Sequence, residues 1–196
     1  MNKLLAAGFC VLLTGISQAW AYEAGDVVVR FGPTYVDPAG DGALDGALDV
    51  DSNTQLGVST SYMLNPNFGV AVLAATPFKH DITLNGATIG STKHLPPTVT
   101  AQYHFNTGTP FRPYVGAGVN YTQFFSEKST LGKLDLSHSW GLAAEAGFDY
   151  ALTDKWAFNA GLWYADIDTK AKLDGSKLDT VKIDPWVYML GMSYTF

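Results

Sequence analysis

The final eleven residues alternate without interruption: Trp186, Tyr188, Leu190, Met192, Tyr194 and Phe196 share one face, and Val187, Met189, Gly191, Ser193 and Thr195 share the other. A repeat of two is the signature of an extended strand whose sides meet different surroundings. Seven earlier segments carry the same alternation, around Val27–Tyr35, Gln55–Leu64, Val70–Phe78, Thr98–Phe105, Val115–Thr122, Trp140–Tyr150 and Trp156–Ala165. In each, bulky apolar or aromatic side chains oppose glycine, alanine and small polar residues. The charge-free run from Asn53 to Phe78 is no membrane helix, because Asn65-Pro66-Asn67 breaks it. The chain is therefore expected to be all-β.

The connections sort by length. Asn65–Asn67, Asn106–Pro110 and Thr153–Lys155 are short, whereas Asp37–Ser52, Lys79–His94, Ser126–Ser137 and Asp168–Lys182 are long and hold most of the charge. Short turns at one end and long polar loops at the other predict an eight-stranded antiparallel transmembrane β-barrel, with periplasmic turns and extracellular loops. Aromatics on the apolar face gather at strand ends. Tyr62, Phe68, Tyr103, Phe105, Tyr150, Trp156, Tyr194 and Phe196 lie near the turns, and Tyr35, Phe78, Tyr121, Trp140, Tyr164 and Trp186 near the loops. Two such groups suit the two interfaces of a bilayer, so the bulky face is expected to meet outer-membrane lipid. The terminal Phe196, with Tyr194, resembles the C-terminal signal read by the barrel-insertion machinery.

Met1–Ala21 reads as a signal peptide, with Lys3, an apolar run of 13 residues from Leu4 to Ile16, and a small-x-small site at Ala19-Trp20-Ala21. The run is shorter than the about 20 residues that span a bilayer. Residues 22–196 then form the barrel domain. Cys10, the single cysteine, lies in the leader, which leaves the mature chain without disulfide, thiolate nucleophile or cysteine metal ligand. Without Lys3 the balance is 11 basic against 18 acidic residues. Such a surface offers no basic field for nucleic acid.

The opposite face fills the barrel interior. Its loop-side half receives Leu73, Phe124, Trp163, Ala165, Ile167, Val187 and Met189; its turn-side half receives Arg30, Gln102, His104, Glu145, Asp149 and Asn159. This is an apolar funnel above a polar plug, in which Arg30 is expected to pair with Glu145 or Asp149, since a charge in a narrow bore is costly unless matched. Trp163 offers a large apolar wall suited to a constriction or ligand contact. The bland alternative, that these residues only fill the barrel, stands beside it. Pro77 faces Pro96-Pro97 across neighbouring strands. Proline donates nothing to a ladder, so these three residues mark either a lateral opening or the plain end of two strands.

Longer words carry a family resemblance. Ala74-Ala75-Thr76-Pro77-Phe78, His94-Leu95-Pro96-Pro97-Thr98, the run from Arg112 to Thr122, Trp163-Tyr164-Ala165-Asp166-Ile167-Asp168-Thr169 and Asp184-Pro185-Trp186-Val187 resemble the OmpW family of bacterial outer-membrane proteins. The resemblance implies an eight-stranded barrel with a narrow, largely apolar lumen associated with passage of small hydrophobic molecules. It also implies that Leu73 and Trp163 narrow that lumen, while Ala71 stands where a family member can carry a glutamate.

Catalysis and metal binding find little support. His80 and Asp81 are adjacent in a loop, His94, His104 and His138 lack a repeated spacing, and no nucleophile motif is present. Asp49-x-Asp51-x-Asn53 begins like a calcium loop, but Thr54 and Thr60 replace its glycine and closing glutamate. No cofactor, metal or catalytic residue is expected. The leading expectation is a passive channel for small hydrophobic solutes, with Leu73, Trp163, Phe124, Ile167 and Met189 along the path. The alternative is a structural or recognition barrel whose loops receive host factors, phage or toxins.

Overall fold

The computed structural model describes residues 21–39 and 48–196, so the expected leader, apart from Ala21, lies outside the described residues. Fourteen strands follow one another in these residues: β1 (Val27–Asp37), β2 (Leu48–Val50), β3 (Asn53–Met63), β4 (Phe68–Ala75), β5 (Phe78–Leu84), β6 (Ala87–Leu95), β7 (Thr98–His104), β8 (Phe111–Ser129), β9 (Leu134–Leu136), β10 (Ser139–Ala151), β11 (Trp156–Ala165), β12 (Asp168–Leu173), β13 (Ser176–Lys182) and β14 (Trp186–Thr195). Eight of them close on themselves in the order β1-β3-β4-β7-β8-β10-β11-β14, every neighbouring pair antiparallel. Closure gives each of the eight strands a partner on both sides, as a wall immersed in lipid requires.

Alternation fixes which side faces where. Leu142, Trp140 and Leu190 stand 72%, 69% and 58% exposed on the outside, while Arg30, Asp149, Asn159 and Met189 are wholly buried inside. Rings pack along both rims of the outer face, Phe68 with Tyr103 and Trp156 with Tyr194 near the turns, Tyr121 with Trp140 and Tyr164 with Trp186 near the opposite end. An apolar band between two aromatic girdles is the exterior of a transmembrane barrel.

The long connections are themselves largely β. Strands β2, β5 and β6 extend the sheet from the upper half of β8, and β9, β12 and β13 form a separate sheet. Two turns drive this. Asn85-Gly86 and Asp174-Gly175 both hold positive φ at both residues, 50° and 80° in one and 49° and 81° in the other. That is the geometry of a two-residue hairpin, for which Asn-Gly and Asp-Gly are the favoured pairs.

One sequence-based expectation is corrected. Phe78, placed in the outer girdle, is buried in the interior at 1% exposure. The β4–β7 ladder ends at Leu73–Thr98 and the β5–β6 ladder begins at Phe78–His94, so residues 74–77 on one side oppose 95–97 on the other. Four against three shifts the register by one residue and turns every later side chain of β5 to the opposite face.

Between the Phe31–Met192 and Thr34–Met189 pairs, β1 and β14 approach closely. A Cβ on Gly32 would collide with the backbone oxygen of Leu190, and one on Gly191 with that of Phe31. Gly32→Val is therefore expected to cost about 1–3 kcal/mol of barrel stability. Denaturant unfolding in lipid vesicles checks this, and an unchanged midpoint would contradict it.

Candidate functional site

The bore divides by height into a polar lower part, an apolar middle and a chamber under the hairpins. In the lower part Arg30 binds Asp149 through Nη2 to Oδ2 at 2.7 Å and through Nε to the same carboxylate, both side chains being fully buried. Arg30 also donates from Nη1 to the Ser61 hydroxyl at 2.6 Å, and Ser61 donates to Gln102 Oε1 at 2.7 Å. Asp149 accepts further hydrogen bonds from the Tyr22 hydroxyl at 2.8 Å and from Asn159 Nδ2 at 3.0 Å. Glu145 takes a different role, accepting from Thr100 and from Gln102 Nε2. Asp149, not Glu145, is thus the partner of Arg30. His104 contacts Gln102 through Nε2, and its ring lies between those of Tyr22 and Tyr114.

Tyr22, Arg112 and Tyr114 complete this plug, with the Arg112 guanidinium 4.3 Å from the Tyr22 ring and that of Arg30 4.6 Å from Tyr114. Arg112 and Tyr114 share the parity of Gly116 and Asn120, so alternation could have found them. Tyr22 lies before the first strand, where no periodicity reaches.

Above the plug, Leu73, Trp163 and Met189 meet Val36, Phe78 and Val187 in one apolar cluster. Phe124 and Ile167 belong to a second cluster higher up, with Ala171, Val181 and Ile183. A cavity of about 20 Å³ in the middle section is bounded by Leu73, Trp163 and Val187 from inside the bore and by Ala74, Ala75 and Pro96 from its wall. Those last three belong to the stretch where the ladder lapses. There Thr76 N donates to Leu56 O at 3.1 Å, and Pro97 O accepts from Tyr121 N at 3.0 Å. Each edge is thus tied to its outer neighbour, and no ladder pairing joins residues 74–77 to 95–97. Pro77, Pro96 and Pro97 all sit in this interruption. Inside, Asn120 Nδ2 holds Pro96 O at 3.2 Å and Thr98 Oγ1 at 2.8 Å.

The chamber under the hairpins, about 60 Å³, is walled by His80, His94 and Phe124 with aliphatic residues of both hairpin sheets. His80 and His94 are stacked 4.8 Å apart at 10°. Nδ1 of His80 meets the Asp51 carbonyl, and Nε2 of each has no hydrogen-bond partner among the described residues. At the rim, Asp166, Asp168 and Asp184 bring carboxylate oxygens within 4.8 Å of one another, two of them solvent-exposed.

Two tests follow from this geometry. Asp149→Asn leaves a buried guanidinium without its counter-charge and is expected to cost about 3–5 kcal/mol. Glu145→Gln keeps an acceptor for Thr100 and should cost no more than about 1 kcal/mol. Denaturant unfolding in vesicles separates them, and equal losses would contradict the assignment. Burial pushes His94 down from its ordinary 6.5 to about 3, with His80 adding to the effect, and burial lowers His80 as well. The unfolded hairpin binds protons near pH 6.5 while the folded one refuses them, so its stability is full above that pH and falls as pH drops toward 3. Amide NMR signals of β5 and β6 should weaken selectively on acidification, and a His80→Phe/His94→Phe barrel should keep them.

The OmpW family profile matches residues 23–196. Outer membrane protein W of Vibrio cholerae is 46% identical over 209 residues, covering 94% of this chain and 96% of that protein. The crystal structure of the outer membrane protein OprG from Pseudomonas aeruginosa superposes with a TM-score of 0.78 at 40% identity, covering 90% of this chain and 98% of that one. The dibenzothiophene metabolism operon protein PahQ of Pseudomonas aeruginosa is 29% identical over 159 residues, 77% of this chain and 71% of that protein. With a closed lipid-facing barrel and a family match across nearly its whole described length, the chain belongs to the OmpW family and is a protein of the Gram-negative outer membrane.

Proposed function

We propose that the barrel is a passive channel through which small hydrophobic molecules enter from the hairpin end, pass Leu73 and Trp163, and leave sideways into the bilayer between β4 and β7. The observation that carries this reading is the mid-bore cavity, whose wall includes both edges of the proline interruption. The association of a relative with dibenzothiophene metabolism agrees with an apolar solute.

Energetics favour the sideways route. Apolar contact is worth about 0.8 kcal/mol per CH₂, so a six-carbon chain entering the lower bore would forfeit about 5 kcal/mol. The Arg30–Asp149 pair would have to separate as well. Moving from an apolar cavity to lipid tails forfeits almost nothing. Opening between 74–77 and 95–97 breaks no ladder hydrogen bond, whereas parting any fully paired strands breaks one for every residue or two.

Leu73→Asn sets an amide with no partner into the path and is expected to slow uptake of an apolar probe about tenfold. Replacing Pro96 and Pro97 by residues that can donate, or cross-linking Ala75 to Pro96 after cysteine substitution of both, should slow it similarly. Unchanged uptake by these variants with an intact barrel would overturn the channel reading, and sensitivity to loop changes alone would point to a recognition barrel instead.

A further inference from the structure

The chamber under the hairpins has mostly apolar walls; the hydroxyls of Thr92, Ser129 and Thr169 in its lining are each hydrogen-bonded to backbone, which leaves the stacked pair of imidazoles as its distinctive polar feature. His80 and His94 are diagonal neighbours on β5 and β6, since His80 pairs with Thr92 and His94 with Phe78. They are 1% and 3% exposed; the Phe78 ring packs against both, 5.6 Å from His94 and 6.3 Å from His80, while Phe124 lies 5.8 Å from His94. Two phenyl rings would fill this place without a buried nitrogen lacking a partner. Instead, Nε2 of both histidines has none among the described residues, and buried polar groups in native proteins are as a rule satisfied.

The state of His80 follows from its neighbour. Its Nδ1 meets the backbone oxygen of Asp51, and a carbonyl only accepts, so Nδ1 carries the hydrogen. Burial keeps the ring neutral at ordinary pH. A neutral imidazole with its proton on Nδ1 presents a bare lone pair at Nε2. That atom can only accept. The partner it lacks is a hydrogen-bond donor, which excludes ethers and carboxylates. A shared metal ion does not suit the pair either: planes only 10° apart and stacked at 4.8 Å do not aim their in-plane lone pairs at one point.

We propose that His80, with His94 stacked on it, is the anchor for the hydroxyl of a neutral apolar solute, an alcohol or phenol, whose O–H donates to Nε2 of His80. The hydrocarbon part lies against Ile82, Phe124, Leu134 and Val181, all lining the same chamber. This names a solute class for the channel proposed above and rests on that reading for how the solute arrives, but the binding site itself does not depend on transport. At about 60 Å³ the chamber is smaller than the roughly 150 Å³ that holds a benzene, so a phenol enters as the two hairpin sheets part. They are separate sheets, β2-β5-β6-β8 on one side and β9-β12-β13 on the other, which makes that motion available.

The test uses the full barrel in lipid nanodiscs, with p-cresol and its methyl ether as probes of matched shape of which only the first donates. The imidazole nitrogen NMR signal of His80 Nε2 should move on adding p-cresol and stay with the ether. His80→Phe should weaken p-cresol binding about tenfold while leaving the ether unchanged. Equal binding of the two probes, or an unmoved Nε2 signal with p-cresol bound, would overturn the proposal. The wild-type measurement decides even where His80→Phe fails to fold. Binding at His80 together with uptake that ignores the strand cross-link would leave this site standing and remove the lateral channel; uptake that obeys the cross-link without any Nε2 response would do the reverse.

Discussion

A wall in hydrocarbon has no water to satisfy its backbone, so every N–H and C=O must find a partner within the protein. That demand closes the eight strands on one another and places the large apolar side chains outside. It also gives the proline interruption its meaning. Pro77, Pro96 and Pro97 lack the donors that the lapsed ladder would use, and the edges that remain are tied to β3 and β8. The wall therefore contains a place where two strands face each other without hydrogen bonds to break, beside an apolar part of the bore.

The interior is organised around a second constraint, that a charge in a narrow bore needs its opposite. Arg30 and Asp149 meet it together, and the hydroxyls and amides of Tyr22, Ser61, Gln102 and Asn159 complete the network. The result is a filled lower bore under an apolar upper one, so an apolar solute in the middle has lower free energy beside lipid than below. In the upper chamber the stacked histidines supply ring nitrogens that have no partner among the described residues, and under the proposed binding one hydrogen bond there separates a hydroxylated solute from its ether.

Much of this was legible from alternation. Inside and outside followed for Arg30, Asp149, Leu73, Trp163 and Met189 because a period of two needs no knowledge of neighbouring strands. Alternation alone misplaces Phe78, because the four-against-three mismatch at the prolines shifts the register and exists only once two strands are paired. The choice of Asp149 over Glu145 as the partner of Arg30 depends on how the strands are staggered around the barrel, which no single strand records. The hairpin sheets carry little period-two signal because their strands are short and polar, although Asn85-Gly86 and Asp174-Gly175 are the residue pairs that favour two-residue turns. His80 and His94 looked unrelated at a separation of 14 residues, and the β5–β6 hairpin brings their rings into contact.

Lateral release and passage through the bore differ in where an apolar solute arrives first. Barrels inserted with their hairpins outward in asymmetric vesicles, with lipopolysaccharide outside, would receive an apolar fluorophore from the outer solution. One energy-transfer acceptor sits in the bilayer and a separate reporter in the vesicle interior. With lateral release the barrel speeds arrival in the bilayer, and the interior signal follows only as the dye leaves the membrane. A barrel-dependent signal that reaches the interior first would mean passage through the Arg30–Asp149 plug and would contradict it.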